Sequence, residues 1–415
     1  MSAGLSKRIL LGLLAGAALG ATAHALAGGS AALESFLRYV TDPVGKIFLR
    51  LLFMLVIPLV VSALALGVAG LGDMRALGRI GLRTLLYTVV VSSIAVLIGV
   101  ALVNLLEPGK GLPPELKAQL HAGTALPAAA VGSDVSGIDF FVNLVPANVV
   151  KSMADGDMLA VMVFSVFLGI GLLITRGEGA RRFEEALTGL YEVVMRLLGL
   201  VIELAPIGVA CLLFTLTARL GYAVLEQLAD YVFVVVAALA IQQFVVYSAA
   251  VSWFGGMSPL HFFRTIRPAM LTAFSTASSN ATLPTALMVA EDGLHLPPHV
   301  SRFVLTIGAT ANQNGTALFE GVTVLFLAQF YGVELTIAQQ ILVVSVCILG
   351  GIGTAGVPAG SIPVIIALLD SVGVPRDGIA LIFGVDRFLD MCRTTINVTG
   401  DLAAATVVAR GERGA

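Results

Sequence analysis

VDRFLDMCRTTINVTGDL, Val385 to Leu402, lies between apolar segments near the C-terminus, yet it carries Asp386, Arg387, Asp390, Arg393, Asn397 and Asp401. On a helical wheel at about 100° per residue, Asp386, Asp390, Arg393, Thr394, Asn397 and Asp401 fall within an arc of roughly 100°. The other faces carry mostly apolar or small side chains. A charge at the bilayer centre costs about 2.5–3.5 kcal/mol on insertion scales. The aspartates and Arg393 on this stripe must therefore face the protein interior and find partners there. Two kinds of partner are open. Asp390 and Arg393, at i and i+3, can pair with each other; alternatively the stripe receives a charged ligand. Self-pairing leaves Asn397 and Asp401 unexplained.

The rest of the chain makes a bilayer the expected solvent. Of 415 residues, 58% are hydrophobic and 12% are charged, against about a quarter charged in a typical soluble domain. The mean hydropathy is +0.97. A net charge of −2 without a basic tract gives no sign of a nucleic-acid partner. Cys211, Cys347 and Cys392 are odd in number and each lies in an apolar run, so they read as small buried residues and not as a disulfide framework. The N-terminus has Lys7 and Arg8 before an apolar run over 9–28. That run is longer than the roughly 7–15-residue core of a secretory signal and suits a first transmembrane helix.

Further apolar runs cover about 47–71, 84–106, 157–175, 184–218 and 224–255. Pro206 should kink the fifth run, and the polar stretch from Pro108 to about Ser136 reads as an exposed loop. The C-terminal part is different. Residues 259–293 are split by FSTASSNATLP, 299–331 by NQNGT (Asn312 to Thr316), and 335–372 by GGIGTAGVPAGS; the polar helix follows over about 375–410. Interrupted apolar segments at matching places in two halves point to a transporter binding site, because unwound backbone is tolerated at membrane depth only beside protein or a water-filled cavity.

Lys and Arg concentrate on the side of the N-terminus, with Arg75, Arg79 and Arg83 in one connection and Arg176, Arg181 and Arg182 in another. Both termini are expected on the cytoplasmic side. The hairpins then re-enter, the first from inside and the second from outside.

Arg393 offers a planar fork for a carboxylate, and Asp390 an acceptor for an ammonium group. Together they suit a ligand bearing an amine and a distal carboxylate. Asp401 and Asn397, near the unwound backbone at NQNGT, suit a hard cation such as Na⁺. Ser278 and Ser279 lie where a half-helix begins, with free N–H groups and a dipole that favours an anion. No His-metal cluster, Walker loop or nucleophile constellation suggests an enzyme. A charged stripe can line a channel, but paired re-entrant gates favour alternating access.

At LVPANVVKSMADGDMLAVMVFSVFLGIG, LAPIGVACLL, FSTASSNATLP, GATANQNGTALFEG, GIGTAGVPAG and DRFLDMCRTTINVTGDL, the chain resembles the dicarboxylate/amino-acid:cation symporter family over about residues 5–410. The resemblance implies an all-α polytopic protein with eight transmembrane helices, two re-entrant hairpins, inverted repeats and an elevator mechanism. It implies a homotrimer in the cell (plasma or inner) membrane. Residues 1–83 and 137–222 would form the scaffold. Residues 84–136, holding the third helix and outer loop, would belong with the transport domain of 223–415. Asp390 would bind the substrate amine and Arg393 its side-chain carboxylate, with Ser278, Ser279, Thr316, Gly356, Val357, Thr394 and Asn397 as further contacts. One Na⁺ site would use Gly308, Asn312, Asn397 and Asp401, and another Thr310, Gly351, Ile352 and Thr354.

The chain departs from the family at Asn314, where a carboxylate is usual, and at Val91, which takes a hydroxyl position on the third helix beside Thr88 and Ser92. Gln313 replaces the usual Met. A neutral amide compensates a buried cation poorly, so that Na⁺ site is expected to be lost. Glu320 replaces the Gln of archaeal sodium-coupled relatives and matches the Glu of proton-cotransporting animal members. Two roles are open to it, a proton carrier or a permanently protonated hydrogen-bond donor. The expectation is uptake of aspartate or glutamate, coupled to H⁺ in preference to Na⁺. A C4-dicarboxylate symporter, or a Na⁺-coupled amino-acid symporter of reduced stoichiometry, is the alternative. No cofactor is expected beyond the coupling ion.

Overall fold

A computed structural model of the chain describes residues 3–70, 79–111, 145–155, 158–175, 177–221, 223–353 and 361–413, and these are helical with no strand among them. The expected outer loop of 108–136 and the tip of the second hairpin fall mostly outside the described residues.

Helix α1 covers Ala3–Ala27. A short helix, Ala31–Phe36, and a π turn, Leu37–Thr41, lead into α2, Asp42–Gly70. Helix α3 covers Arg79–Leu106, α4 Met158–Ile174, α5 Glu178–Glu203 and α6 Ala205–Leu220. Helices α5 and α6 meet at a bend of 56°. Pro206 causes it, since a proline inside the joint would lack an N–H and clash with the preceding turn. Helix α7, Ala223–Ile241, continues through π turns at Gln242–Val246 and Ala250–Phe254.

In the C-terminal part the breaks fall where polar residues interrupt the apolar runs. Helix α8, Pro259–Thr276, stops at Ala277, and α9, Ser279–Met288, begins one residue later. Helix α10, Pro298–Ala311, and α11, Asn314–Tyr331, are separated by Asn312 and Gln313, whose ψ of 60 and 56 is neither helical nor extended. Helices α12, Ile337–Gly353, and α13, Ile362–Ser371, flank the undescribed tip, and α14, Ile379–Arg413, carries the polar stripe.

Length and apolar composition alone qualify three described helices to cross a membrane, Ala31–Ala69, Arg79–Leu106 and Val224–Phe254; the bent α5–α6 pair raises this to four. The other expected spans are divided by breaks or are short, such as Ala160–Ile174 and Ile337–Gly351. A length rule of about 20 apolar residues therefore misses them.

The helices pack in two groups. Helix α1 lies along α6, while α2 packs on α4, α5 and α6. Helix α3 joins α7, α11 and α12, and α14 packs on α7, α8, α10 and α11. In α1, Gly12, Gly16 and Gly20 face α6. A Cβ at Gly16 would lie 2.8 Å from the Ala210 Cα, and one at Gly20 2.5 Å from the Phe214 carbonyl oxygen. Small residues at i and i+4 allow this close backbone approach, which drives association where no hydrophobic effect separates helix from lipid. Sequence reasoning missed this stripe. At the centre of the second group, every residue of α11 except Thr316 and Gln329 is buried. The Tyr231 hydroxyl of α7 reaches Thr323 of α11 at 2.8 Å.

Candidate functional site

The functional side chains gather where α14 crosses the α10–α11 break. Arg393 is 1% exposed and lies with its guanidinium 3.9 Å from the centroid of the Phe319 ring. Its Nη2 donates to Asp390 Oδ1 at 2.9 Å and Asp386 Oδ1 at 3.1 Å, and its Nη1 to the Ser361 hydroxyl at 2.9 Å. Arg387 reaches the other Asp390 oxygen at 3.4 Å. The pairing that the i, i+3 spacing allows is thus present. It is extended by Asp386 one turn earlier and by Ser361 from the entrance to α13. Arg393 Nε is buried with no protein partner.

The α10–α11 break is held by side chains and by one backbone bond. The Asn397 amide donates to Gln313 Oε1 at 2.5 Å and to Thr316 Oγ1 at 3.1 Å, while its Oδ1 accepts from the Gly315 N–H at 2.8 Å. Gln313 N–H donates to the Gly351 carbonyl at 3.0 Å, linking the break to the end of α12. Asn397 therefore caps the exposed start of α11, whose first N–H groups have no intrahelical partner.

Asn312 Nδ2 donates to Asp401 Oδ1 at 2.8 Å. Gly308 faces the same carboxylate, since a Cβ there would lie 2.5 Å from Asp401 Oδ1. Gly308, Asn312 and Asp401 are therefore brought together, and Asn397 stands one turn of α14 before Asp401. Asn312 Oδ1 is buried without a partner among the described residues, so this cluster has an amide oxygen and carboxylate oxygens to offer, the donor set of a hard cation.

The second expected cation set, of backbone carbonyls, falls partly outside the described residues. The Thr310 hydroxyl turns back to the Ile307 carbonyl on an exposed face. The Gly351 carbonyl accepts the Gln313 N–H. Ile352 ends within α12, and Thr354, Gly356 and Val357 lie outside the described residues.

At the α8–α9 turn, Ala277 adopts φ +48 and ψ 42 and is 1% exposed. A left-handed residue with a Cβ costs about 1–2 kcal/mol. Here it turns the chain so that Ser278 caps α9 by accepting the Ala281 N–H at 3.3 Å. The Ser279 hydroxyl is buried with no partner among the described residues. Helix α9 packs on α14, which brings the serine turn to the polar helix. Thr394 is buried on that helix, adjacent to Arg393.

Asn314 occupies the place where the resemblance implies a carboxylate. Its Oδ1 accepts from the Ser92 hydroxyl at 2.5 Å and its Nδ2 donates to Tyr247 at 3.2 Å; Tyr247 donates in turn to the Ile396 carbonyl at 3.1 Å. Thr88 and Val91 are buried nearby on α3. Glu320 is 0% exposed, and neither carboxyl oxygen has a hydrogen-bond partner among the described residues. A Cβ on Gly350 of α12 would lie 3.2 Å from Glu320 Oε2 and 3.2 Å from a methyl of Val364 on α13. Glu320 is thus walled by both arms of the second helical pair. Sequence reasoning missed Ser361, Phe319 and Tyr247. Only polarity within apolar runs could have flagged Ser361 and Tyr247, and nothing flags Phe319.

A helical membrane protein with charge buried at a broken-helix junction is the architecture of a solute transporter. The sequence model of the sodium:dicarboxylate symporter family matches residues 5–411. The proton/sodium-glutamate symport protein of Bacillus subtilis is 36% identical over 99% of this chain and 93% of its own length. The proton/glutamate-aspartate symporter of Escherichia coli is 35% identical over 92% and 90%. The C4-dicarboxylate transport protein of Anaeromyxobacter sp. is 31% identical over 98% and 89%. This chain belongs to the sodium:dicarboxylate symporter family, and it is a membrane transporter, not an enzyme.

Proposed function

We propose that this protein takes up acidic amino acids, aspartate or glutamate, by symport with a cation, H⁺ in preference to Na⁺. The observation that carries the reading is the buried Asp386–Asp390–Arg393–Ser361 network beside the α10–α11 break. Arg393 would exchange part of this network for the substrate's distal carboxylate, and Asp390 would then be free to accept the ammonium group. Ser278, Ser279, Thr316, Thr394 and Asn397 would complete the site, with Gly356 and Val357 closing it.

The relatives named for glutamate and aspartate support the amino-acid reading. So does Asp390, because a plain dicarboxylate has no ammonium for it to accept. The relative named for C4-dicarboxylates keeps that substrate class as the second reading. Proton coupling is supported by Glu320, which has no hydrogen-bond partner among the described residues, and by Asn314, whose neutral amide is occupied by Ser92 and Tyr247. Asp401 with Gly308, Asn312 and Asn397 would hold Na⁺ if Na⁺ is used, and Thr310, Gly351, Ile352 and Thr354 would form the other candidate site.

The mechanism would be an elevator within a homotrimer of eight-span protomers with cytoplasmic termini in the cell membrane. The scaffold would be 1–83 and 137–222, and the moving unit 84–136 with 223–415. That α1, α2 and α4–α6 pack more heavily on one another than on α7, α10 and α12–α14 supports that division. The test is uptake of labelled aspartate into proteoliposomes under separately imposed Na⁺ and pH gradients. Inward protons should drive accumulation without Na⁺; accumulation that needs Na⁺ and ignores pH would overturn the proton assignment.

A further inference from the structure

Ser361 is the N-cap residue of α13, a place where serine ordinarily turns its hydroxyl onto its own helix. Ser278 does this at the start of α9, where it accepts the Ala281 N–H. The Ser361 side chain makes no capping bond. Its hydroxyl is buried and accepts instead from Arg393 Nη1 at 2.9 Å. A hydroxyl has one hydrogen to give and two lone pairs. Among the described residues, the Ser361 hydroxyl accepts this bond and donates none.

The charge of Arg393 does not require Ser361. Asp386 and Asp390 both accept from Nη2, at 3.1 and 2.9 Å, and so take up the two hydrogens of that nitrogen. Nη1 holds only the neutral hydroxyl and keeps its second hydrogen, and the buried Nε has no partner among the described residues. Of the three polar side chains on this guanidinium, Ser361 alone can meet a further carboxylate as a donor. The two aspartates, when ionised, only accept, and they repel an incoming anion. We infer that Ser361 is a substrate-binding residue: its hydroxyl and Arg393 Nη1 together receive the substrate's distal carboxylate, the hydroxyl by turning its O–H onto a carboxylate oxygen. The carboxylate arrives where no anion has to leave first. Approach at Nη2 would require an aspartate to be displaced before the substrate gained the bond. Asp390 then turns from Arg393 to an ammonium group where the substrate has one. The inference rests on the part of the proposed function in which Arg393 takes a distal carboxylate, and it applies equally to an acidic amino acid and to a C4-dicarboxylate.

The test is Ser361→Ala beside Ser361→Thr. The alanine variant should fold, because Arg393 keeps both aspartates and α13 loses no side-chain cap. Labelled aspartate and labelled succinate uptake into proteoliposomes is measured against concentration, and the unfolding temperature is measured in detergent with and without each acid. Ser361→Ala should raise the half-saturating concentration of both acids about tenfold, the loss expected for a hydrogen bond to a charged group. The unfolding temperature of the substrate-free variant should match the wild type. Ser361→Thr keeps the hydroxyl and should stay within about twofold of the wild type for both acids. An unchanged half-saturating concentration in Ser361→Ala, a loss confined to aspartate, or a threonine variant as impaired as the alanine one would overturn the inference. So would a loss of affinity matched by a loss of substrate-free stability, which would leave Ser361 a support of Arg393 only. Failure of the underlying reading looks different: the wild type would accumulate neither acid, and both would fall. A wild type that took succinate and not aspartate would correct the solute, and the Ser361 variants would still be decided on succinate.

Discussion

Asp390→Ala separates the two substrate readings. Asp390 is 7% exposed and accepts from Arg393 at 2.9 Å, with Arg387 at 3.4 Å. Its removal does not orphan Arg393, which keeps Asp386 at 3.1 Å and Ser361 at 2.9 Å. The fold should therefore avoid the 3–5 kcal/mol that follows when a buried charge loses its partner. For an amino-acid substrate the variant lacks the acceptor for the ammonium group. A hydrogen bond to a charged group contributes about 1.5–3 kcal/mol, which corresponds to about a 10- to 100-fold loss of apparent affinity. Succinate has no ammonium group and should lose little or nothing. The assay is the concentration dependence of labelled aspartate and labelled succinate uptake in proteoliposomes, wild type beside variant, with Asp390→Asn expected to fall between them. If both substrates weaken by the same factor, Asp390 acts only by holding Arg393, and the amine-acceptor role is wrong.

Gly308→Ala places a methyl 2.5 Å from Asp401 Oδ1, so the carboxylate must shift and the 2.8 Å bond from Asn312 is lost. About 1.5–3 kcal/mol for that bond predicts at least a tenfold rise in the cation concentration needed for half-maximal uptake; an unchanged cation dependence would remove Asp401 from the cation path. Asn314→Asp puts a carboxylate between Ser92 and Tyr247 and should make thermal stability in detergent rise with Na⁺, which the wild type should not do to the same degree. Glu320→Gln should reduce pH-gradient-driven accumulation at least tenfold while substrate exchange at equal concentrations persists; accumulation at the wild-type rate would leave Glu320 a structural residue. Gly16→Leu should destabilise the α1–α6 pair, since overpacking costs about 1–3 kcal/mol, and lower the unfolding temperature without altering the affinity for aspartate.

The positions of the helix breaks were legible because their causes are local. Pro206 lacks an N–H, the serine run at 275–279 competes with the backbone for hydrogen bonds, and Asn312 and Gln313 interrupt an apolar run. The stripe on α14 was legible because helical periodicity collects its charges on one face. What the stripe touches was not legible. Ser361 reaches Arg393 from 32 residues away in the chain, and Phe319 lies under the same guanidinium from a helix that is buried all round. Tyr247 follows a π turn at Gln242–Val246, which shifts the phase of α7 and defeats a wheel drawn at 3.6 residues per turn. The resemblance implies the carbonyl of Gly351 as an ion ligand; that it also accepts the Gln313 N–H, tying the helix break to α12, is a contact that chain order does not reveal.

Charge accounting connects the substrate network to cation coupling. Asp386, Arg387, Asp390 and Arg393 cancel within the network, so a bound acidic amino acid adds a net negative charge to the interior. Among the described residues, Asp401 has only the neutral Asn312 as its donor, and Glu320 has none. Burying uncompensated charge costs several kcal/mol per ion even after relaxation. A unit that crosses the bilayer with the substrate alone would carry that cost through the barrier. On the proposed assignment, a proton on Glu320 and a cation against Asp401 would reduce it, and substrate without them should be held back. In this account coupling arises because only the charge-compensated unit crosses readily. Uptake at a fixed substrate concentration should then rise with proton concentration in the wild type, and Glu320→Gln should flatten that dependence. A variant that retained the wild-type pH dependence would show that the compensating charge enters elsewhere.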